Sequence, residues 1–162
     1  MMYNIIKSIQ VDDIVSFYHS IEHKLEWSIA NNKGKQSGIQ FTAHENPFLS
    51  ATGKTRLHDK LFTNLNKLYK DTIIEDLINE LNLVRTRWMW VYPNACYSVH
   101  SDLTPRVHIP LITHKDCMFV FPPNNMFHLD IGSAYWVDTR KLHTFMNCSD
   151  FPRLHLVGAV LP

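Results

Sequence analysis

The chain has 162 residues, 45% apolar and 19% charged, which gives room for one compact domain with a true core and excludes a disordered or fibrous chain. Its formal charge is +1, from 16 Lys and Arg against 15 Asp and Glu, so no strong field favours nucleic acid or an anionic membrane as partner. The three cysteines, Cys96, Cys117 and Cys148, are odd in number and lack CxxC spacing, which argues against a disulfide framework or a cysteine zinc site.

The N-terminus from Met1 to Lys7 lacks a long apolar run and soon reaches Asp12 and Asp13, so neither a signal peptide nor a membrane span is expected. With the cysteine usage this predicts a cytoplasmic protein. Asp12 is the expected N-cap of a helix carrying Ile14, Phe17, Tyr18, Ile21 and Leu25 at helical spacing, ending before Asn31. From Asn31 to Thr55 the Asn, Lys, Gly, Ser and Thr content predicts loops, with a short strand at 38–43, and a lid or substrate wall. A second helical stretch is expected with Leu57, Leu61, Leu65 and Leu68 on one face, continuing through Ile73, Ile74, Leu77, Ile78 and Leu81.

Beyond Leu83 the pattern changes to short runs rich in Val, Ile, Phe, Tyr and Trp, separated by Pro, Asn, Gly and Asp. Strands are expected at 85–92, 96–102, 106–113, 117–121, 126–130, 134–138, 143–147 and 153–160. This predicts an α+β chain. Residues 84–162 form a barrel or jelly roll, and residues 1–83 supply helices packed on one face and loops, all in a single domain, 1–162.

Side chains two apart on a strand share a face, so polar residues at i and i+2 in an apolar strand mark something on that face. The chain has such pairs at His100 and Asp102, at Arg106 and His108, and at Arg153 and His155. A short HxD pair is by itself a frequent turn or core feature. With His143 in a later strand, however, His100 and Asp102 make two imidazoles and one carboxylate, the set that holds non-haem Fe(II) on one side and leaves positions open for cosubstrate and O2. A dicarboxylate such as 2-oxoglutarate then needs a buried cation for its distal carboxylate. Arg153 is the candidate, because a guanidinium offers a planar bidentate match.

The segment from Arg85 to Leu161 resembles the aspartyl/asparaginyl β-hydroxylase branch of the 2-oxoglutarate and Fe(II)-dependent oxygenases. The matching text is His100-Ser101-Asp102, Arg106-Val107-His108-Ile109-Pro110-Leu111, Gly132 to Asp138, His143, Asn147 and Arg153-Leu154-His155-Leu156. The resemblance implies a double-stranded β-helix, the cupin-like jelly roll. It implies iron on His100, Asp102 and His143, and the 2-oxoglutarate 5-carboxylate on Arg153. Arg106 and His108 match positions near the cosubstrate C1 carboxylate and the substrate. Fe(II), 2-oxoglutarate and O2 are the implied cofactors. The implied reaction is hydroxylation of an amino-acid side chain, Asp, Asn or Pro, free or in a peptide. Retention of Asp102 favours hydroxylation over halogenation, and Pro93-Asn94-Ala95 departs from the usual Pro-Gly turn.

Ser98 shares the face of His100 and is a further candidate contact for 2-oxoglutarate. Trp88, Trp90 and Trp136 read as core. Alternation sends Trp88 and Trp90 to one face and Arg85 and Arg87 to the other, either a barrel interior suited to an anionic substrate or, more commonly, an exposed edge. His155 reads as a satisfied interior histidine, and Asp130 and Asp138 as turn residues. The rival reading is a cupin-like metal-binding protein without turnover. Substrate identity and oligomeric state stay open.

Overall fold

The computed structural model describes residues 1–53 and 57–161. Strand β1 (Tyr3–Ser8) precedes helix α1 (Val11–Ile21), followed by strands β2 (Ser28–Ala30), β3 (Gly34–Gly38), β4 (Gln40–Phe41) and β5 (Asn64–Leu65) and helix α2 (Ile73–Glu80). Then come β6 (Leu83–Val91), β7 (Ala95–Cys96), β8 (Arg106–Ile112), β9 (Cys117–Phe121), β10 (Asn125–His128), β11 (Ser133–Val137), β12 (Thr144–Asn147) and β13 (Arg153–Val160). A seven-stranded sheet, in the order β1-β11-β8-β13-β6-β3-β2, faces a four-stranded sheet, β10-β9-β12-β7. From β6 onward the chain passes back and forth between these sheets in antiparallel pairings, apart from the β9–β10 hairpin within the smaller one, which makes this half a double-stranded β-helix, with the expected α+β class.

The large sheet is buried on both faces because its strands alternate two kinds of side chain. On its outer face Trp88, Val107, Ile109, Leu154 and Leu156 form one core with Ile14, Tyr18 and Ile21 of α1 and Ile74, Leu77 and Ile78 of α2. The helices thus cover one face, as expected. The indole N–H groups of Trp88 and Trp90 donate to the hydroxyls of Tyr69 and Tyr18, both at 2.9 Å. Between the sheets lies the second core, built from Met89, Val91, Phe119, Phe121, Tyr135, Phe145 and Val157. Polar residues interrupt this inner face, and they make the site.

Three expectations need correction. Gln10, not Asp12, occupies the cap position of α1; Asp12 and Asp13 sit in its first turn, where the helix dipole favours acids. The stretch from Leu57 to Leu68 is not a helix. It holds 3-10 turns at Asp59–Leu61 and Lys67–Tyr69 with β5 between them. The Nδ1 of His58 accepts from the Lys60 N–H and Oδ1 of Asn66 from the Leu68 N–H, so side chains replace helical carbonyls. Leu57 and Leu61 are exposed, while Asp59 is drawn fully inside. Strand β1 pairs with β11 and was not anticipated. The short strand expected at 38–43 is present as β4, but the stretch before it, expected as loop, holds β3, which pairs with β2 at an edge of the large sheet; Lys54 and Thr55 lie outside the described residues. Among the described residues no helix is long and apolar enough to cross a membrane.

Candidate active site

His100 and His143 lie opposite each other in an antiparallel bridge, each donating its N–H to the other's carbonyl, at 2.9 and 2.8 Å. Two residues along, the Asp102 N–H donates to the Thr139 carbonyl at 2.8 Å, which keeps the two segments in register. One ligand atom from each of His100, Asp102 and His143 falls within 4.8 Å of the others. The expected strand over 96–102 is only partly regular, with ladder pairing at Ala95 and Cys96 and the bridge at His100, because the Thr144 hydroxyl takes the Tyr97 carbonyl at 2.6 Å.

Both imidazoles are oriented for metal binding. Nδ1 of His100 lies 2.8 Å from the Ser98 carbonyl, and Nδ1 of His143 lies 2.9 Å from the Lys141 carbonyl. A carbonyl can only accept, so each Nδ1 carries the proton and each Nε2 presents its lone pair. Burial pushes the His143 pKa down and favours the neutral form that a metal needs. Asp102 is aimed by Arg106, whose Nε lies 3.2 Å from Oδ2 without hydrogen-bond alignment.

A cavity of about 580 Å³ opens beside these residues, bounded by Ser98, His108, Phe119 and Thr139 and by residues of the β2–β3 hairpin. Arg85, Arg87 and Arg106 also line it, so the arginines of β6 face the barrel interior and the exposed-edge reading is wrong. Arg85 has φ +52° at a bulge where Arg85 and Thr86 oppose Gly158, between the pairs Arg87–Val157 and Val84–Ala159. At Gly158 an added Cβ would press on the Leu83 side chain at 3.0–3.2 Å. Asp59, which no sequence motif marked, joins two of these arginines: Oδ1 accepts from Arg85 at 2.9 Å, and Oδ2 from Arg106 at 2.8 Å and from the Thr104 hydroxyl at 2.6 Å. Burial alone would raise the Asp59 pKa. The Arg106 charge and the hydrogen bonds from Arg106, Thr104 and Arg85 together outweigh it and hold the carboxyl at about 2.

Arg153 is 1% exposed, packs its guanidinium 4.3 Å from the centre of the Phe145 ring, and has no hydrogen-bond partner for Nε or Nη2. Burial lowers its pKa to about 10. Nearby, the Tyr97 hydroxyl and His155 Nε2 are buried without partners as well. Phe145 and Tyr97 line the cavity whereas Arg153 does not, so a ligand reaches it only past the residues that cover it. His155 was expected to be satisfied, yet only its Nδ1 has a partner, Nδ1 of His108 at 3.4 Å. Burial drives both of these histidines well below the usual value, so both are neutral. Ser98 is exposed at the cavity rim, and its carbonyl rather than its hydroxyl contacts His100. Sequence reading missed Asp59, Gln36 and Tyr97. Tyr97 lies three residues before His100, whereas Asp59 and Gln36 lie in segments with no legible signal.

The residues fit the groups that the sequence implies. Two imidazole nitrogens and one carboxylate converge as a facial iron site requires. A buried guanidinium with two orphan nitrogens, beside an orphan hydroxyl, suits a carboxylate guest.

No protein-family model matches the sequence. Among solved structures, an oxidoreductase of the 2OG-Fe(II) oxygenase family from Burkholderia pseudomallei superposes with a TM-score of 0.65 at 14% identity, covering 97% of this chain and 82% of that one. A Pseudomonas putida prolyl-4-hydroxylase gives 0.52 at 12% identity over 97% and 90%. The DMSP lyase DddQ from Ruegeria pomeroyi gives 0.55 at 10% identity over 96% and 66%. At these identities the likeness is one of fold: the chain has the β-helix fold found in 2-oxoglutarate and Fe(II) oxygenases.

Proposed function

We propose that this protein is a 2-oxoglutarate- and Fe(II)-dependent dioxygenase of the aspartyl/asparaginyl β-hydroxylase type. Its substrate is an amino-acid side chain, Asp, Asn or Pro, free or in a peptide. The observation that carries this reading is the meeting of His100, Asp102 and His143 within 4.8 Å on paired segments of one barrel. Iron with 2-oxoglutarate and O2 supplies the oxidising chemistry, the 2-oxo acid leaving as succinate and carbon dioxide.

The chain's own residues do the binding and positioning. The carbonyls of Ser98 and Lys141 hold the Nε2 atoms of His100 and His143 toward the metal position. Arg106, itself fixed by Asp59, steers the Asp102 carboxylate. Arg153 takes the 5-carboxylate, which answers its two orphan nitrogens. Neutral His108, on the cavity wall, offers a hydrogen bond near the C1 carboxylate without adding charge. Phe119 and Phe145 shield the site from water.

The test is an anaerobic titration of the apo-protein with Fe(II) and then 2-oxoglutarate, followed through the weak visible charge-transfer band of the chelate. The band is expected in wild type and absent in His143→Ala. Iron binding without the band favours the cupin-like binding protein, and failure to bind iron removes the triad from its role.

A further inference from the structure

The cavity holds a cation that the proposed cofactors do not use. Arg87 is 8% exposed and lines the cavity, yet it receives only neutral acceptors: Nε donates to Gln36 Oε1 at 3.1 Å and Nη1 to the Arg85 carbonyl at 3.2 Å. Its neighbours Arg85 and Arg106 share Asp59, and Arg106 also faces Asp102. Among the described residues no carboxylate lies within ion-pair distance of Arg87. Among the described residues, only Asp59 and Asp102 pair with any of the three guanidinium groups of this cluster, and Asp102 is committed to the metal position. Burial, reinforced by the charges of Arg106 and Arg85, lowers the Arg87 pKa to about 9 even with Asp102 and Asp59 opposing it. A guanidinium held this way is unfavourable until an anion arrives.

This locus sits at a different level of the barrel from Arg153, although Tyr97 and His108 feel the charge of both arginines. In the β6–β13 ladder Arg87 is paired with Val157 and Val91 with Arg153. Four residues along a strand at about 3.3 Å each put the two positions roughly 13 Å apart. The charges acting on Arg87 are those of Arg106, Arg85, Asp102 and Asp59, while those acting on Arg153 come from Cys117 and Tyr97.

We infer that Arg87, held by Gln36, is a substrate-binding residue that receives a carboxylate of the substrate, so that the protein acts on small carboxylic acids or on acidic or carboxyl-terminal residues. This deepens the oxygenase reading and rests on it. The cavity wall agrees, since Lys33 and Asn31 of the β2–β3 hairpin line the same space and add an ammonium to the guanidinium groups.

The probe is trifluoroacetate, a minimal carboxylate with a fluorine signal, followed by fluorine relaxation on the Zn(II)-loaded protein with 2-oxoglutarate at saturation. Binding of 2-oxoglutarate is measured calorimetrically in the same sample. Wild type is expected to bind the probe with 2-oxoglutarate present, and acetate but not acetamide should displace it. Arg87→Gln should weaken probe binding about tenfold or more, the scale of a lost charge-assisted hydrogen bond, while 2-oxoglutarate affinity holds. If saturating 2-oxoglutarate abolishes probe binding in wild type, Arg87 belongs to the cosubstrate site and the inference fails. Equal probe binding in wild type and Arg87→Gln overturns it as well. The wild-type displacement series reads the result even if the variant does not fold. Failure of 2-oxoglutarate to bind at all is a separate outcome, and it removes the oxygenase reading on which the inference stands.

Discussion

Among the described residues, the four buried arginines fall into two kinds. Arg85 and Arg106 share the one Asp59 carboxylate inside the protein, in a network closed by Thr104 and extended to Asp102. Arg87 and Arg153 are equally buried but meet only carbonyl or amide oxygens and an aromatic face. The first pair is tied to the protein's own carboxylates, Asp59 and, through Arg106, Asp102. The second pair carries charge that only a guest can balance, which is how a binding site differs from a buttress of the same residue type.

The sharpest way to break this distinction is Asp59→Ala. Removing one partner of a buried ion pair typically costs about 3–5 kcal/mol, because the stranded charge keeps its desolvation penalty. Here two guanidinium groups lose their shared carboxylate. Chemical denaturation should show a loss of that order, and Fe(II) affinity should fall too as Arg106 ceases to hold Asp102. A loss below about 1 kcal/mol would mean that the arginines find water or Asp102 instead, and the network would not be a buttress.

Titration offers a smaller version of the same contrast. The Asp59 carboxyl is held at about 2 against an ordinary 3.8, so the folded state binds its proton less readily than the unfolded state does. Its contribution, about 2 kcal/mol, is fully present above the unfolded value and is lost as pH falls through the folded one, from about 4 to 2. His108 and His155 act in a higher window. Their folded pKa values are depressed well below 6.5, so they weaken the fold progressively as pH falls below that value. Stability measured against pH should therefore decline in two stages. In Asp59→Asn the stage below pH 4 should shrink while the upper stage stays.

The pairing of His100 with Asp102 in the candidate metal cluster was legible because period-two alternation is a local signal, although both residues lie outside the regular strands. His100, Asp102, Arg106 and His108 line the cavity together, and Arg153 and His155 are buried together, so each pair shares a face as its spacing requires. The strands at Cys117–Phe121 and Arg153–Val160 lie where alternation and turn residues put them. The N-terminal half was less legible for a physical reason. Leucines at helical spacing from Leu57 to Leu68 promise an amphipathic helix, but the chain gives that up to place Asp59 between Arg85 and Arg106, and a contact across 26 residues leaves no local trace. Arg87 was ambiguous because alternation fixes which side chains share a face, not which face is buried; that is settled by the β2–β3 hairpin pairing with β6.

The gentlest test lies at Arg153. In the protein without cosubstrate its guanidinium is buried with two unpartnered nitrogens, each a desolvated donor. Replacing it with Met keeps apolar contact with Phe145 and removes that burden, so Arg153→Met should leave the apo-protein as stable as wild type or more stable by about 1 kcal/mol. If Arg153 anchors the 5-carboxylate as proposed, the 2-oxoglutarate requirement should rise sharply at the same time. A gain or no change in melting temperature together with a large loss of cosubstrate affinity is the signature of a residue kept for its ligand. If Arg153→Met is instead strongly destabilised in the absence of cosubstrate, Arg153 stabilises the fold itself, and the division between paired and waiting arginines does not hold at this end of the barrel.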